Sequence, residues 1–160
     1  MKNRCLIFFI GFVFMFGCKE QHKRKLRLDE YLTDVFNQEL ENGLYIIIPK
    51  GSCKGCRDVV FNFLRNNEND GKINLIFIGE VYEAQVGNFL SRIEFRGVTV
   101  LRDIKEKIKD YDLIEEEFPM EYIRFLEIEE GLIVAEKNLT SQDIAGDKML
   151  SSYFKNHIKF

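Results

Sequence analysis

Apolar positions along this chain switch between a helical and an extended period, and the switches mark its elements. Leu28, Leu32, Val35, Phe36 and Leu40 recur at helical spacing, with Gly43 behind them as the predicted stop. Leu44 to Ile48 is a continuous apolar run rich in β-branched residues, which predicts a strand covered on both faces. Pro49, Gly51 and Ser52 break it. Cys56, Val59, Val60, Phe63 and Leu64 then return to helical spacing, and a turn over Glu68 to Gly71 leads to a second apolar strand, Ile73 to Ile78. Two such runs around a helix predict a βαβ unit with parallel neighbours. Tyr82, Val86, Phe89, Leu90 and Ile93 mark a further helix that stops near Gly97, and Val98 to Leu101 a short strand. Asp103 to Asp112 is charged and reads as a surface segment with at most a short helix, and Glu115 to Glu117 as solvated surface. Tyr122 to Ile128 and Leu132 to Ala135 flank Glu129-Glu130-Gly131, the pattern of a hairpin with glycine where positive φ is useful. Met149, Leu150, Tyr153, Phe154 and Ile158 predict a last helix. No internal repeat or second-domain boundary interrupts the order, so residues 28–160 are expected to form one α/β domain.

The N-terminus follows a different rule. Lys2 and Arg4 precede an apolar run, Leu6 to Phe16, interrupted by Gly11. The run is shorter than the roughly 20 residues of a membrane span and suits a signal peptide. It ends Met15-Phe16-Gly17-Cys18, which resembles a bacterial lipoprotein signal, although Phe16 stands where a small residue is usual. The resemblance implies that residues 1–17 are removed and that Cys18 carries the lipid. An ordinary signal peptide or a short anchor is the plainer alternative. Residues 18–27, polar and basic, would then be a lipidated tether whose charges can meet lipid head groups.

Cleavage would leave 143 residues, the 160 of the chain less the 17 of the signal. That is long enough for a substantial core. The formal charge is −3, and −5 once Lys2 and Arg4 are gone, so charge gives no reason to expect a nucleic-acid partner.

The candidate chemistry lies between the first strand and its helix, in Pro49-Lys50-Gly51-Ser52-Cys53-Lys54-Gly55-Cys56. Of four cysteines, Cys5 leaves with the signal and Cys18 would be lipidated, which leaves Cys53 and Cys56 as thiols. On the first turn of a helix, free amide groups and partial positive charge stabilise a thiolate, and Lys54 and Arg57 add positive charge. Cys53, the outer residue, would attack; Cys56, one turn deeper, would resolve. Two intervening residues let the sulfurs meet in a disulfide. A structural staple is disfavoured because so short a loop removes little chain entropy. A metal site is disfavoured because zinc commonly takes four ligands and no second cysteine pair or close histidine pair exists. No dissociable cofactor is needed for thiol exchange.

The pair at the start of a helix, behind a central strand, resembles the active site of the thioredoxin superfamily, and the element order extends the resemblance over about Leu28 to Phe160. It implies a three-layer α/β/α sandwich, with a central mixed sheet flanked by helices. It also implies that Pro119, 63 residues after Cys56, is a cis-proline facing the cysteines, and that Phe118 and Pro119 with Lys54 and Gly55 support the site and contact a partner chain. The alternative is a trans proline that merely starts an edge strand. The separation is similar to that of membrane-anchored periplasmic thiol–disulfide oxidoreductases and peroxiredoxin relatives, with Tyr82 to Leu101 as the inserted helix and strand. The loop lacks the threonine of the peroxiredoxin site, and the thioredoxin-like copper sites use three residues between their cysteines. This chain also departs from thioredoxins in having no Trp before Cys53, no proline between the cysteines and no acid in Leu44 to Ile48.

Two functions follow as expectations. One is an enzyme, a lipid-anchored thiol–disulfide oxidoreductase of the bacterial envelope, acting on protein thiols and disulfides and resupplied by an upstream redox partner. The other is a non-catalytic thioredoxin-fold lipoprotein that acts as a binding or assembly module.

Overall fold

The computed structural model describes residues 27–66, 72–80, 87, 98–111, 113 and 121–139. Five strands form one mixed sheet: β1 (Gly43–Pro49), β2 (Ile73–Ile78), β3 (Val98–Asp103), β4 (Ile123–Glu129) and β5 (Leu132–Leu139), in the spatial order β3-β2-β1-β4-β5. β1, β2 and β3 run parallel, while β4 pairs antiparallel with both β1 and β5. Helix α1 covers residues 27–36 and α2 covers Lys54–Asn66. A 3-10 helix, Lys107–Tyr111, follows β3.

Residues Leu44 to Ile48 and all six residues of β2 are buried, as continuous apolar runs require. Alternation along them sorts the core into two layers. Leu44, Ile46 and Ile48 of β1 with Ile73, Leu75 and Phe77 of β2 meet Cys56, Val60 and Leu64 of α2. Tyr45 and Ile47 with Ile76 and Ile78 meet Leu28, Tyr31 and Leu32 of α1. The two helices therefore lie on opposite faces, and the arrangement is that of a thioredoxin-like α/β fold.

The chain returns through a two-residue turn at Glu130 and Gly131, whose φ angles of 49° and 69° match the twist of the hairpin. In β5 one residue, Val134, is inserted between the partners of Glu127 and Ile128, a bulge close to the hairpin turn.

Three expectations are corrected. The first helix ends at residue 36, not at Gly43. Asn37 takes a left-handed φ of 54°, its N–H still bonds the Thr33 carbonyl at 2.9 Å, and the Gln38 N–H reaches the Leu32 carbonyl at 3.2 Å. Gly43 instead opens β1: its φ is 145°, and a Cβ there would stand 2.4 Å from the Lys72 carbonyl oxygen. The segment Asp103 to Asp112 is not wholly surface, because Asp103, which closes β3, and Ile108 are buried. The strand of the expected insertion is present but runs two residues further, to Asp103, and forms the sheet edge beside β2.

Residues 1–26 lie outside the described residues: the expected signal, and the expected tether with Cys18 except Arg27, which is the first described residue of α1; so do Phe118, Pro119 and the last helix. So does the expected helix after β2, apart from Gly87, which is helical. No described helix is long and apolar enough to cross a membrane.

Candidate functional site

β1 ends at Pro49, and the chain turns at once, with the Ser52 N–H bonding the Pro49 carbonyl at 3.0 Å. The Ser52 hydroxyl donates to the same carbonyl at 2.7 Å, so this buried serine, 4% exposed, is satisfied within its own turn. Cys53 follows as the N-cap of α2: its carbonyl accepts the first helical bond, from the Arg57 N–H at 3.1 Å, and its Sγ accepts the Cys56 N–H at 3.0 Å. A sulfur thus fills the capping position that serine or aspartate commonly occupies.

Cys53 and Cys56 are joined as a disulfide, with their Cα atoms 5.2 Å apart. Cys56 is 1% exposed and packs into the core layer between α2 and the sheet, whereas Cys53 is half-buried at its rim. Of the two sulfurs, Cys53 is therefore the one an outside thiol can reach. The N–H already directed at its Sγ would become a charge-assisted donor to the thiolate formed on reduction.

The two neighbouring cations differ. Lys54 pairs with Asp58 one turn on, at 2.8 Å, and its side chain is 73% exposed. Arg57 is half-buried and folds back to donate from Nη1 to the Ser52 carbonyl and, at 3.3 Å, to the Ser52 hydroxyl. Gly55 is exposed at the helix start.

A second support comes from the neighbouring strands. The Lys50 N–H bonds the Ile78 carbonyl at 2.9 Å, and the Gly79 N–H bonds the Asp103 carbonyl at 2.8 Å. These links bring the ends of β1, β2 and β3 together beside the cysteine loop. Glu106, at a left-handed φ of 55°, forms ion pairs with Lys50 and with Lys109. Those two partners hold its carboxyl below the usual carboxylate range, Lys109 having the larger share. Gly79, φ 79°, leaves room for them, since a Cβ there would lie 2.8 Å from Lys50 Cδ.

Sequence reasoning missed Ser52 as a buried polar group, the fold-back of Arg57 and the Glu106 link. Ser52 follows two chain-breaking residues, a signal for a side chain that serves its own turn. The Glu106 contact joins residues 56 apart and has no local signal. A cleft of about 520 Å³ lies elsewhere, between the end of α1 and the turn after β3, and the cysteines do not line it. Among the described residues, no cluster of three His, Cys, Asp or Glu side chains is placed to hold a metal ion.

No protein-family model matches the chain, and no curated protein does. Among solved structures it is similar to the crystal structure of a peroxiredoxin-like protein from Aquifex aeolicus, at 15% identity over 70% of this chain and 74% of that one, with a TM-score of 0.39. At that distance the likeness carries no weight for function, which rests on the chain's own residues.

Proposed function

We propose that this chain is a thiol–disulfide oxidoreductase of the bacterial envelope, held at a membrane through lipid on Cys18 and exchanging electrons with protein thiols through Cys53 and Cys56. The observation that supports it best is the placement of the disulfide. One sulfur caps a helix at the rim of the core, the other is buried behind it, and a backbone N–H is directed at the outer sulfur. A staple has no need of this asymmetry.

In the reducing direction the cycle starts from the dithiol. Cys53 thiolate attacks a partner disulfide, forming a Cys53–partner bond and expelling the partner's other sulfur as a thiolate. Cys56 gives up its proton and attacks Cys53 Sγ, which re-forms the Cys53–Cys56 bond and expels the partner's second thiolate. Two electrons pass to the partner and two protons complete its thiols. A dithiol protein or membrane electron carrier upstream must then reduce the Cys53–Cys56 disulfide. The oxidising direction is the reverse sequence. Phe118 and Pro119 are proposed to form part of the partner surface.

Cys56→Ser should strand the mixed disulfide on Cys53, visible as a heavier species on a non-reducing gel and released by reductant. Cys53→Ser should trap far less, and the double variant nothing. Absence of any Cys53-dependent adduct would shift the assignment to the second reading, a non-catalytic binding or assembly module. One observation favours that reading: among the described residues, the buried set packed against α2 holds no titratable side chain other than the cysteines, so no buried acid is shown that could move the Cys56 proton.

A further inference from the structure

Two cations stand near the expected thiolate, and the structure separates them. The Lys54 charge is matched by Asp58 and lies in solvent, where such pairs contribute little. Arg57 has no carboxylate partner among the described residues, and its guanidinium bonds Ser52 twice, the residue that precedes Cys53.

Helical side chains lean toward the helix N-terminus, and Arg57 sits one turn after Cys53. Its guanidinium is thereby returned over the capping turn. The same residue grips Cys53 from both sides: its N–H takes the Cys53 carbonyl, and its Nη1 takes the carbonyl of Ser52. The Ser52 hydroxyl is committed to Pro49 and Arg57 together, so the turn has little freedom to rotate. The peptide that joins Ser52 to Cys53 is thus fixed, and with it the direction in which Cys53 Sγ leaves the backbone, toward the Cys56 N–H.

We propose that Arg57 is the positioning residue of the redox pair: its guanidinium locks the Ser52–Cys53 peptide and supplies the unneutralised positive charge that favours the Cys53 thiolate, whereas Lys54 has little effect. The proposal rests on the redox reading of Cys53 and Cys56 and adds what sets its balance. A stabilised thiolate favours the dithiol, so the pair becomes a weaker reductant and a stronger oxidant. Removing the charge moves the balance toward the disulfide.

The test is the equilibrium of the purified full-length chain with reduced and oxidised glutathione, or with dithiothreitol where glutathione is too weak. It is measured for wild type, Arg57→Gln, Arg57→Lys and Lys54→Gln, with pH-dependent alkylation of Cys53 alongside. Arg57→Gln should shift the constant toward the disulfide by roughly fivefold to tenfold, the effect of one nearby charge in a partly buried site, and should move the alkylation midpoint upward. Arg57→Lys keeps the charge and loses the fork, and should recover part of the shift. Lys54→Gln should change the constant by less than about twofold.

A loss of melting temperature in Arg57→Gln with an unmoved constant would reduce Arg57 to a structural role and overturn the proposal. So would a larger shift in Lys54→Gln. If Arg57→Gln fails to fold, an Arg57→Lys constant equal to wild type together with an unmoved alkylation midpoint at high salt overturns it equally. Absence of any Cys53-dependent adduct with Cys56→Ser would sink the redox assignment while the Arg57 ratio stayed readable, so the two failures are distinct.

Discussion

On the α2 face of the sheet, Leu44, Ile46, Ile48, Leu75, Phe77 and Phe125 meet Cys56, Val60 and Leu64, and the buried layer is apolar apart from the cysteine. On the α1 face, β3 buries Asp103 beside Tyr31, and by alternation β2 buries Asn74. Asp103, 2% exposed, takes the Tyr31 hydroxyl on Oδ2 at 3.1 Å, the Ile108 N–H on the same oxygen at 2.8 Å and the Lys107 N–H on Oδ1 at 2.9 Å. One carboxyl group thereby caps the 3-10 helix and ties it to α1. Its backbone carbonyl also accepts from Gly79 and Glu106. The polar face thus shapes the turn from which Glu106 reaches Lys50, three residues before Cys53. The redox pair sits on the face without polar relays, and part of its loop is supported from the face that has them.

Breaking the polar face should have the largest effect. Asp103→Ala leaves three donors without their partner in a dry site, and should cost about 3 kcal/mol or more by urea denaturation. The loss should be the same for the oxidised and reduced protein. A loss confined to one redox state would show that the two faces are coupled more directly than the contacts suggest.

Opening the apolar face should cost less. Reducing Cys53–Cys56 releases a four-residue loop, and chain entropy sets the loss at about 2 kcal/mol. The capping bond to Cys53 can survive in the thiolate form and offset part of it, so denaturation of the reduced form at pH 8 should show about 2 kcal/mol or less.

Tyr31→Phe removes one donor and leaves Asp103 its two backbone partners, so the expected loss is about 1 kcal/mol. Burial, then the Asp103 carboxyl, push the Tyr31 hydroxyl well above its ordinary value of 10.0. The folded state therefore favours the neutral phenol. That contribution is complete below pH about 10 and is lost as pH rises above it. Part of the alkaline fall in stability of wild type should be absent from the variant.

The smallest change is expected at the link between the faces. Glu106→Gln should cost less than about 1 kcal/mol at neutral pH, as exposed ion pairs do. Because the Glu106 carboxyl is held below its ordinary 4.5, its contribution is present above that pH and is lost as pH falls through the lower folded value. The variant should have a shallower acid limb below about pH 4.5, with wild-type slope above it.

The same contrast explains what could be read from sequence. The parallel βαβ unit, the hairpin turn and the CxxC helix follow from contiguous apolar runs and turn residues, signals that lie within a few positions of one another. Asp103 escaped because its charged neighbours Lys105, Glu106, Lys107 and Lys109 make a surface pattern, while its partner Tyr31 lies 72 residues away. The helix stop was misplaced because Gly43 is a familiar stop signal, and an asparagine six residues earlier took the left-handed position instead. At the site, the order of Cys53 and Cys56 in depth followed from helix geometry. The unequal state of Lys54 and Arg57 did not, since it depends on which way each side chain folds and on Asp58 being free to pair.

The reduction potential of the Cys53–Cys56 pair, from its equilibrium with a glutathione buffer, is the most direct measurement. A working redox pair should fall between about −270 and −120 mV; a value below about −300 mV would mark a structural disulfide and contradict the assignment.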